Sequence, residues 1–364
     1  MTATPAAPFG VYLHIPFCAA RCDYCAFATW TDRHHLIAEY LDAVQTEITS
    51  AVATGAHSGL SPDSVTSVFV GGGTPSLVPA ADLARVLASL PLAPGAEVTV
   101  ECNPDDVTAA LLATYRAGGV SRLSFGVQSM VPHVLAALGR THDPDNVRRG
   151  VALAREAGFE TFNLDIIYGT VGESPADWEH TVRSVLALDP PHVSAYGLTV
   201  EAGTPLALDA SRYPDDDDQA AKYEVADTLL AEAGLACYEI SNWARPGHEC
   251  RHNLVYWSQG DYLGFGCAAH SHRAGRRWWN VRTPERYIGL VRAGEPAEAA
   301  GEDLDAETRR LEGLQLALRT RDGVPHSALA VDELPEGLVE PDGDRVVLTR
   351  AGRLVANEVS LRLR

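Results

Sequence analysis

Short apolar runs recur along the first two hundred residues, and between them the apolar positions change to helical spacing. The runs read as strands: residues 9–16, VTSVFVGG (65–72), EVTVECNP (97–104), SRLSFGVQS (121–129), TFNLDIIYG (161–169) and HVSAYGLTVE (192–201). Between the first two, residues 33–54 place Leu36, Ile37, Tyr40, Leu41, Val44 and Ile48 three or four apart, the mark of an amphipathic helix. Further helices are expected over about 80–90, 107–117, 131–138, 143–157 and 175–188. Strands that alternate with helices imply a parallel sheet with crossover helices, either doubly wound or closed towards a barrel.

The polar and glycine positions separate these two architectures. Three cysteines follow the first strand and GGGTP (71–75) follows the second. Glu101 ends the third strand, Gln128 ends the fourth, and Asp165 lies in the fifth. A barrel builds its site from the C-terminal ends of several strands. A doubly wound sheet gathers such residues at its switch point. Five successive strands contribute here, which favours a barrel or partial barrel.

Beyond the alternation, PDDDD (214–218) reads as a helix start whose acidic side chains suit the macrodipole, with the helix running to about Ala233. Residues 236–295 are rich in Tyr, Trp, Gly and His and stand outside the alternation, as segments that line a ligand pocket often do. Residues 296–364 look different again: a linker near 294–303, a helix from Leu304 to Arg319, a short helix, a hairpin at 340–349 turning on Asp342-Gly343, and a closing helix. The expected domains are therefore 1–235, with residues 1–8 a loose tail, then 236–295 and 296–364.

Composition narrows the function classes. The 364 residues allow one large domain and a small one. A net charge of −19 argues against a nucleic-acid partner or an anionic membrane surface, both of which want a basic face. Arg273, Arg276 and Arg277 form a local exception. The only lysine, Lys222, falls in the acidic helix, read as exposed, so Schiff-base chemistry is not expected. No stretch approaches the roughly 20 apolar residues of a membrane span, and the opening residues lack a signal peptide's basic and apolar regions. The expectation is a cytoplasmic protein with reduced thiols and no transmembrane segment.

The chemistry centres on Cys18, Cys22 and Cys25, spaced C-x3-C-x2-C in a loop too short to bury a core of its own. Thiolates so closely spaced suit a soft metal or an iron–sulfur cluster. Three thiolates on a [4Fe–4S] cluster leave one iron open. A zinc site completed by His14 or His34 is the alternative, although the paired spacing usual for zinc is missing. In GGGTP, glycines permit a ligand to approach the backbone closely, or simply make a tight turn.

These residues carry a resemblance. C-x3-C-x2-C with Tyr24 before the last cysteine resembles the radical S-adenosylmethionine (SAM) superfamily. YLHIPFC (12–18) resembles the oxygen-independent coproporphyrinogen III oxidases and the related HemW-type heme chaperones. The resemblance implies a partial (β/α)6 barrel with a small winged-helix-like α+β domain. It also implies a [4Fe–4S] cluster on the three cysteines and SAM held by Tyr12, Gly72, Gly73, Thr74, Glu101, Gln128, Arg140 and Asp165. Taken without it, Glu101 and Asp165 could equally be strand-end caps or ion pairs.

In the aromatic segment, H-N-x-x-Y-W at His252 to Trp257 matches the HemW-type signature, which implies that His252 takes part in heme binding. Imidazole is a usual axial ligand of heme iron, and Tyr256 and Trp257 offer flat apolar surface. A histidine bonded to backbone within a packed loop is the other reading. Cys250, Cys267, His270 and His272 lie nearby without a standard zinc spacing. The resembled oxidases carry a fourth cysteine where this chain has Phe27, which weakens the oxidase reading. The sequence therefore points to a heme chaperone with a heme or porphyrin ligand, a heme-acceptor protein, and room for peripheral membrane contact. Coproporphyrinogen III oxidation stands as the alternative, and whether SAM is cleaved is left open.

Overall fold

In the computed structural model, which describes residues 8–55 and 59–364, the alternating runs form six parallel strands. These are β1 (Phe9–Ile15), β2 (Val65–Gly72), β3 (Leu92–Cys102), β4 (Arg122–Gln128), β5 (Thr161–Tyr168) and β6 (His192–Gly197). They pair in chain order, each parallel to the next. Their Val, Leu, Ile and Phe side chains are buried on both faces, as crossover helices require. The expected tail lies outside the described residues except for Pro8.

The crossover helices are α1 (Ile37–Ala53), α2 (Ala80–Leu87), α3 (Ala109–Ala117), α4 (Pro132–Ala137), α5 (Pro144–Glu156) and α6 (Pro175–Leu186). Their starts are written in the sequence. Thr108 accepts from Leu111 N, Asp143 from Asp145 N, and Ser174 makes a reciprocal capping box with Asp177. Asp215 caps α7 (Asp216–Glu232) in the same way.

The aromatic segment is more regular than its composition suggests. It adds strands to both sides of the six. On one side lie β8 (Asn242–Ala244) and β7 (Ala236–Glu239), antiparallel to β6. On the other side β9 (Asp261–Phe265) runs parallel to β1, followed by β10 (His270–Arg273), β11 (Arg276–Asn280) and β12 (Glu298–Asp303). The sheet order is β12-β11-β10-β9-β1-β2-β3-β4-β5-β6-β8-β7. Between the two additions, helix α8 (Arg251–Trp257) packs against β1, β2 and β9. Helix α9 (Pro284–Arg292) then packs on α1.

Two expectations need correction. The stretch expected as a linker near 294–303 contains β12, an edge strand exposed at every residue and defined by its bonds to β11. Lys222 is buried, at 2% exposure, with Nζ 3.1 Å from Glu173 Oε2 and 2.6 Å from Asp218 Oδ2. A buried cation survives only when paired: Glu173 is fully buried beside it, and Asp218, one turn earlier on α7, is part-exposed. The arginine patch is also engaged: Arg276 pairs with Glu298, and Arg277 with Glu302 and Glu312.

The chain ends in a small α+β unit. Helix α10 (Ala306–Leu318) precedes a three-stranded antiparallel sheet in the order β13 (Val324–Pro325), β15 (Arg345–Leu348), β14 (Val339–Asp342). The turn at Asp342-Gly343 is present, with Gly343 at φ 61°. The closing helix is split into α11 (Arg350–Leu354) and α12 (Ala356–Ser360). Leu318, Val324, Leu329, Val346 and Val359 give this unit a core of its own.

Candidate functional site

The cysteine loop rises from the C-terminal end of β1. Its base is closed by Trp30 N donating to Pro16 O (2.8 Å) and Cys18 N to Trp30 O (3.1 Å). The three thiols are partly exposed and unpaired. Burial pushes the Cys18 and Cys25 thiols up, so a thiolate at either position calls for a positive partner. Arg140 Nη1 stands 3.6 Å from Cys22 Sγ while Nη2 donates to Gly126 O at 3.2 Å.

The imidazoles considered as a fourth zinc ligand are otherwise engaged. His14 Nε2 donates to Ala28 O (2.9 Å) and its Nδ1 accepts from Tyr12 OH (3.1 Å). Burial pulls His14 down to about 4, so the ring is neutral. His34 Nε2 donates to Cys18 O at 2.9 Å. Among the described residues no three His, Cys, Asp or Glu side chains converge on a point where one ion could sit. In a four-iron cluster each thiolate takes its own iron, and three part-exposed, unpaired thiols on one loop suit that group.

The glycine turn meets this loop directly. Gly73 N donates to Ile15 O (2.7 Å) and Thr74 N to Phe17 O (2.8 Å). A Cβ on Gly73 would lie 2.6 Å from Phe17 O and 3.0 Å from Cys18 Sγ, so only glycine lets the turn close on the cysteine loop. Gly72 sits at φ +107°, and a Cβ there would strike the His14 ring.

Around this turn, the strand ends supply carboxylates. Glu101 Oε2 accepts from Gly72 N at 3.2 Å. Burial, and then the Asp165 carboxylate, push Glu101 up to about 8. Asp165 is held by Ser124 Oγ and Asn163 Nδ2, each at 2.8 Å. Burial raises its pKa too. Two half-buried acids that repel each other, one of them accepting from the Gly72 amide, form a cradle for a cation. Gln128 ends β4 at a left-handed φ of 60°, beside a register shift in the β4–β5 pairing. Nine of the expected residues (Tyr12, Gly72, Gly73, Thr74, Glu101, Asp165 and the three cysteines) thus gather at one end of the strands, with Arg140 and Gln128 on its β4 side.

His252 lies elsewhere. It is fully buried at the opposite, N-terminal end of β2 and β3. Ser67 Oγ stands 3.2 Å from Nδ1 and Tyr256 OH 2.7 Å from Nε2, and the His252 amide donates to Glu97 Oε1. Burial pulls its pKa down to about 3. With both nitrogens engaged and no exposed surface, the ring offers no open coordination position. It fixes the hydroxyl of Tyr256 instead.

Tyr256 itself faces a cavity of about 780 Å³. The cavity is bounded by the cysteine loop (Ala26, Phe27, Ala28), by Tyr12 and His14, by the added strands (Tyr262, His270, His272, Trp279), and by Leu304 and Leu316 near the C-terminal unit. Its volume falls within the range of small-molecule sites, and eight of its twenty lining residues carry aromatic rings. Phe27 is 64% exposed there. At its wall, His272 Nε2 and Gln259 Nε2 are buried without a hydrogen-bond partner among the described residues.

The model of the radical SAM superfamily matches residues 12–185. The heme chaperone HemW of Mycobacterium tuberculosis (strain ATCC 25618 / H37Rv) is 43% identical, covering 98% of this chain and 94% of that protein. HemW of Bacillus subtilis (strain 168) is 34% identical over 96% and 97% of the two chains. The chain belongs to the HemW family of radical SAM proteins. The solved structure of coproporphyrinogen III oxidase (HemN) from Escherichia coli superposes with a TM-score of 0.83 at 23% identity, covering 99% of this chain and 91% of that one. That likeness establishes the fold alone.

For this HemW-family chain the radical SAM match covers the strand ends just described, while fifteen of the twenty residues lining the cavity lie beyond 185. Sequence reasoning missed His14, Phe27 and His270 as cavity residues. A signal existed for His270 and His272, which alternate along the HSHR strand so that both side chains fall on one face. Four residues are too few for that alternation to stand out. Among the described residues no helix is long and apolar enough to cross a membrane.

Proposed function

We propose that this protein carries heme in the aromatic cavity beside a radical SAM centre and passes it to an acceptor protein. The observation that carries the reading is that cavity: flat apolar surfaces of Phe27, Tyr256, Tyr262 and Trp279 enclose a space suited to a porphyrin, against Tyr12 of the SAM site. The HemW relatives, named heme chaperones, support the same cargo.

In this reading Cys18, Cys22 and Cys25 hold a [4Fe–4S] cluster, and Arg140 offsets the charge of the Cys22 thiolate. Gly72, Gly73 and Thr74 receive the methionine end of SAM, with Glu101 losing its proton to face the ammonium group. Asp165, Gln128 and Tyr12 complete the contacts. When bound, cluster and SAM supply one-electron radical chemistry. The chain's own part is to hold, orient and exclude water. The fourth cysteine of the resembled oxidases is Phe27 here, whose exposed ring suits a porphyrin face.

An anaerobic hemin titration tests the proposal. A saturable Soret change near one heme per chain, followed by transfer of that heme to an apo-hemoprotein, is expected. Without saturable binding the carrier reading fails. Formation of protoporphyrinogen IX from coproporphyrinogen III with SAM and a reductant would instead establish the oxidase.

A further inference from the structure

The imidazoles and thiols in or near the cavity can be compared one by one as ligands for a heme iron. His252 is buried with both nitrogens engaged by Ser67 and Tyr256. His14 is held by Tyr12 and Ala28 O. His272 donates from Nδ1 to Gly260 O at 2.9 Å, and its free Nε2 is sealed inside the wall. Cys250 and Cys267 are buried, and desolvation pushes each thiol up to about 12. The Tyr256 hydroxyl is taken by His252.

His270 differs from all of these. It lines the cavity, its residue is exposed, and neither ring nitrogen has a hydrogen-bond partner among the described residues. The ring is nevertheless fixed. It stacks on Trp279, with centroids 5.6 Å apart and planes 25° from parallel, and the two residues are paired in the β10–β11 register. Desolvation lowers its pKa, so at neutral pH the ring keeps a free lone pair. At the same rim, Arg277 is clamped between Glu302 and Glu312, while Arg282 makes no hydrogen bond or ion pair among the described residues.

We infer that His270, not His252, is the axial ligand to the iron of heme bound in this cavity, and that Arg282 receives a propionate. The inference rests on the heme-carrier reading. Imidazole is a common axial ligand, and a free guanidinium is the side chain suited to a carboxylate at a wet rim. His252 then acts at one remove, by fixing Tyr256 against the porphyrin.

The test uses the full chain with its cluster reconstituted anaerobically. Hemin is titrated into wild type, His270→Ala, His252→Ala, His272→Ala and Arg282→Gln, with absorption (cluster spectrum subtracted) and resonance Raman as readouts. Wild type should show an imidazole–iron signature. His270→Ala should lose it and bind heme at least tenfold more weakly, and added imidazole should restore the signature. His270→Met should fold similarly and give a thioether-type spectrum, which guards against a folding defect in the alanine variant. His252→Ala and His272→Ala should keep the wild-type signature, and Arg282→Gln should keep it with weaker binding. If wild type binds no heme, the carrier reading falls and this inference with it. If His270→Ala and His270→Met keep the wild-type spectrum and affinity, or if His252→Ala or His272→Ala alone loses the signature, His270 is overturned while the carrier reading stands.

Discussion

Replacing Glu101 with glutamine should make the ligand-free protein more stable and its SAM binding worse. Burial and the neighbouring Asp165 raise this carboxyl from 4.5 to about 8, against the opposing pull of the Gly72 amide. The folded state therefore holds a proton that the unfolded chain releases between those two values. Stability falls as pH rises from about 4.5 to 8 and is level above that, with a maximum slope of about 1.4 kcal/mol per pH unit. The accumulated cost is about 3 kcal/mol at pH 7 and about 5 kcal/mol at alkaline pH. Glutamine can still accept from Gly72 N but has no proton to lose. Glu101→Gln should thus raise Tm at pH 7 by about 5 °C in a chain this long. Its stability should not share the wild-type decline between pH 5 and 8. A charge-assisted bond to an ammonium is worth about 1.5–3 kcal/mol, so SAM affinity should fall roughly tenfold to a hundredfold. In wild type that affinity should climb towards pH 8 as Glu101 ionises, a trend the variant lacks. Thermal melts across pH and calorimetric SAM titrations measure both. If the variant is no more stable at pH 7 and follows the wild-type pH slope, the burial argument is wrong. Unchanged SAM affinity would remove Glu101 from the site.

Replacing Cys18, Cys22 and Cys25 together with alanine should abolish the brown absorption after anaerobic reconstitution and reduce bound iron from about four per chain to background; retained absorption would place the iron elsewhere. Arg140→Met removes a positive charge from beside Cys22 Sγ and should lower the cluster's midpoint potential by tens of millivolts, read by spectroelectrochemistry, with an unchanged potential counting against the contact. His252→Ala leaves the Ser67 and Tyr256 hydroxyls unpaired around a cavity and should cost about 2–4 kcal/mol in urea unfolding; a loss below about 1 kcal/mol would deny it a structural role.

Much of the barrel was legible because its strands are contiguous apolar runs and its helices carry their own caps, both local signals. That the strand-end residues lie together was legible for a related reason: strand-end positions in a parallel barrel face one another whatever the loops do. The flanking strands were not. β12, EAAGED, has no buried side chain and becomes a strand only through β11, so nothing local marks it. Lys222 was misread because Glu173, which neutralises it, is distant in sequence. His252 shows the limit of a motif: its spacing suits a ligand or a buried hub equally, and only the partners Ser67 and Glu97, on separate strands, distinguish them.

The cysteine loop is shared property. Cys18 Sγ lies beside the turn at Gly73, while Ala26, Phe27 and Ala28 on the same loop form one wall of the cavity, and backbone bonds of Trp30 to Pro16 and Cys18 close its base. Whatever anchors the thiols therefore also anchors that wall. Heme off-rates measured before and after cluster removal should differ, with faster escape from the stripped protein. In a cell, oxygen or iron shortage would then reach the cargo through the loop, making heme delivery a gauge of iron–sulfur supply.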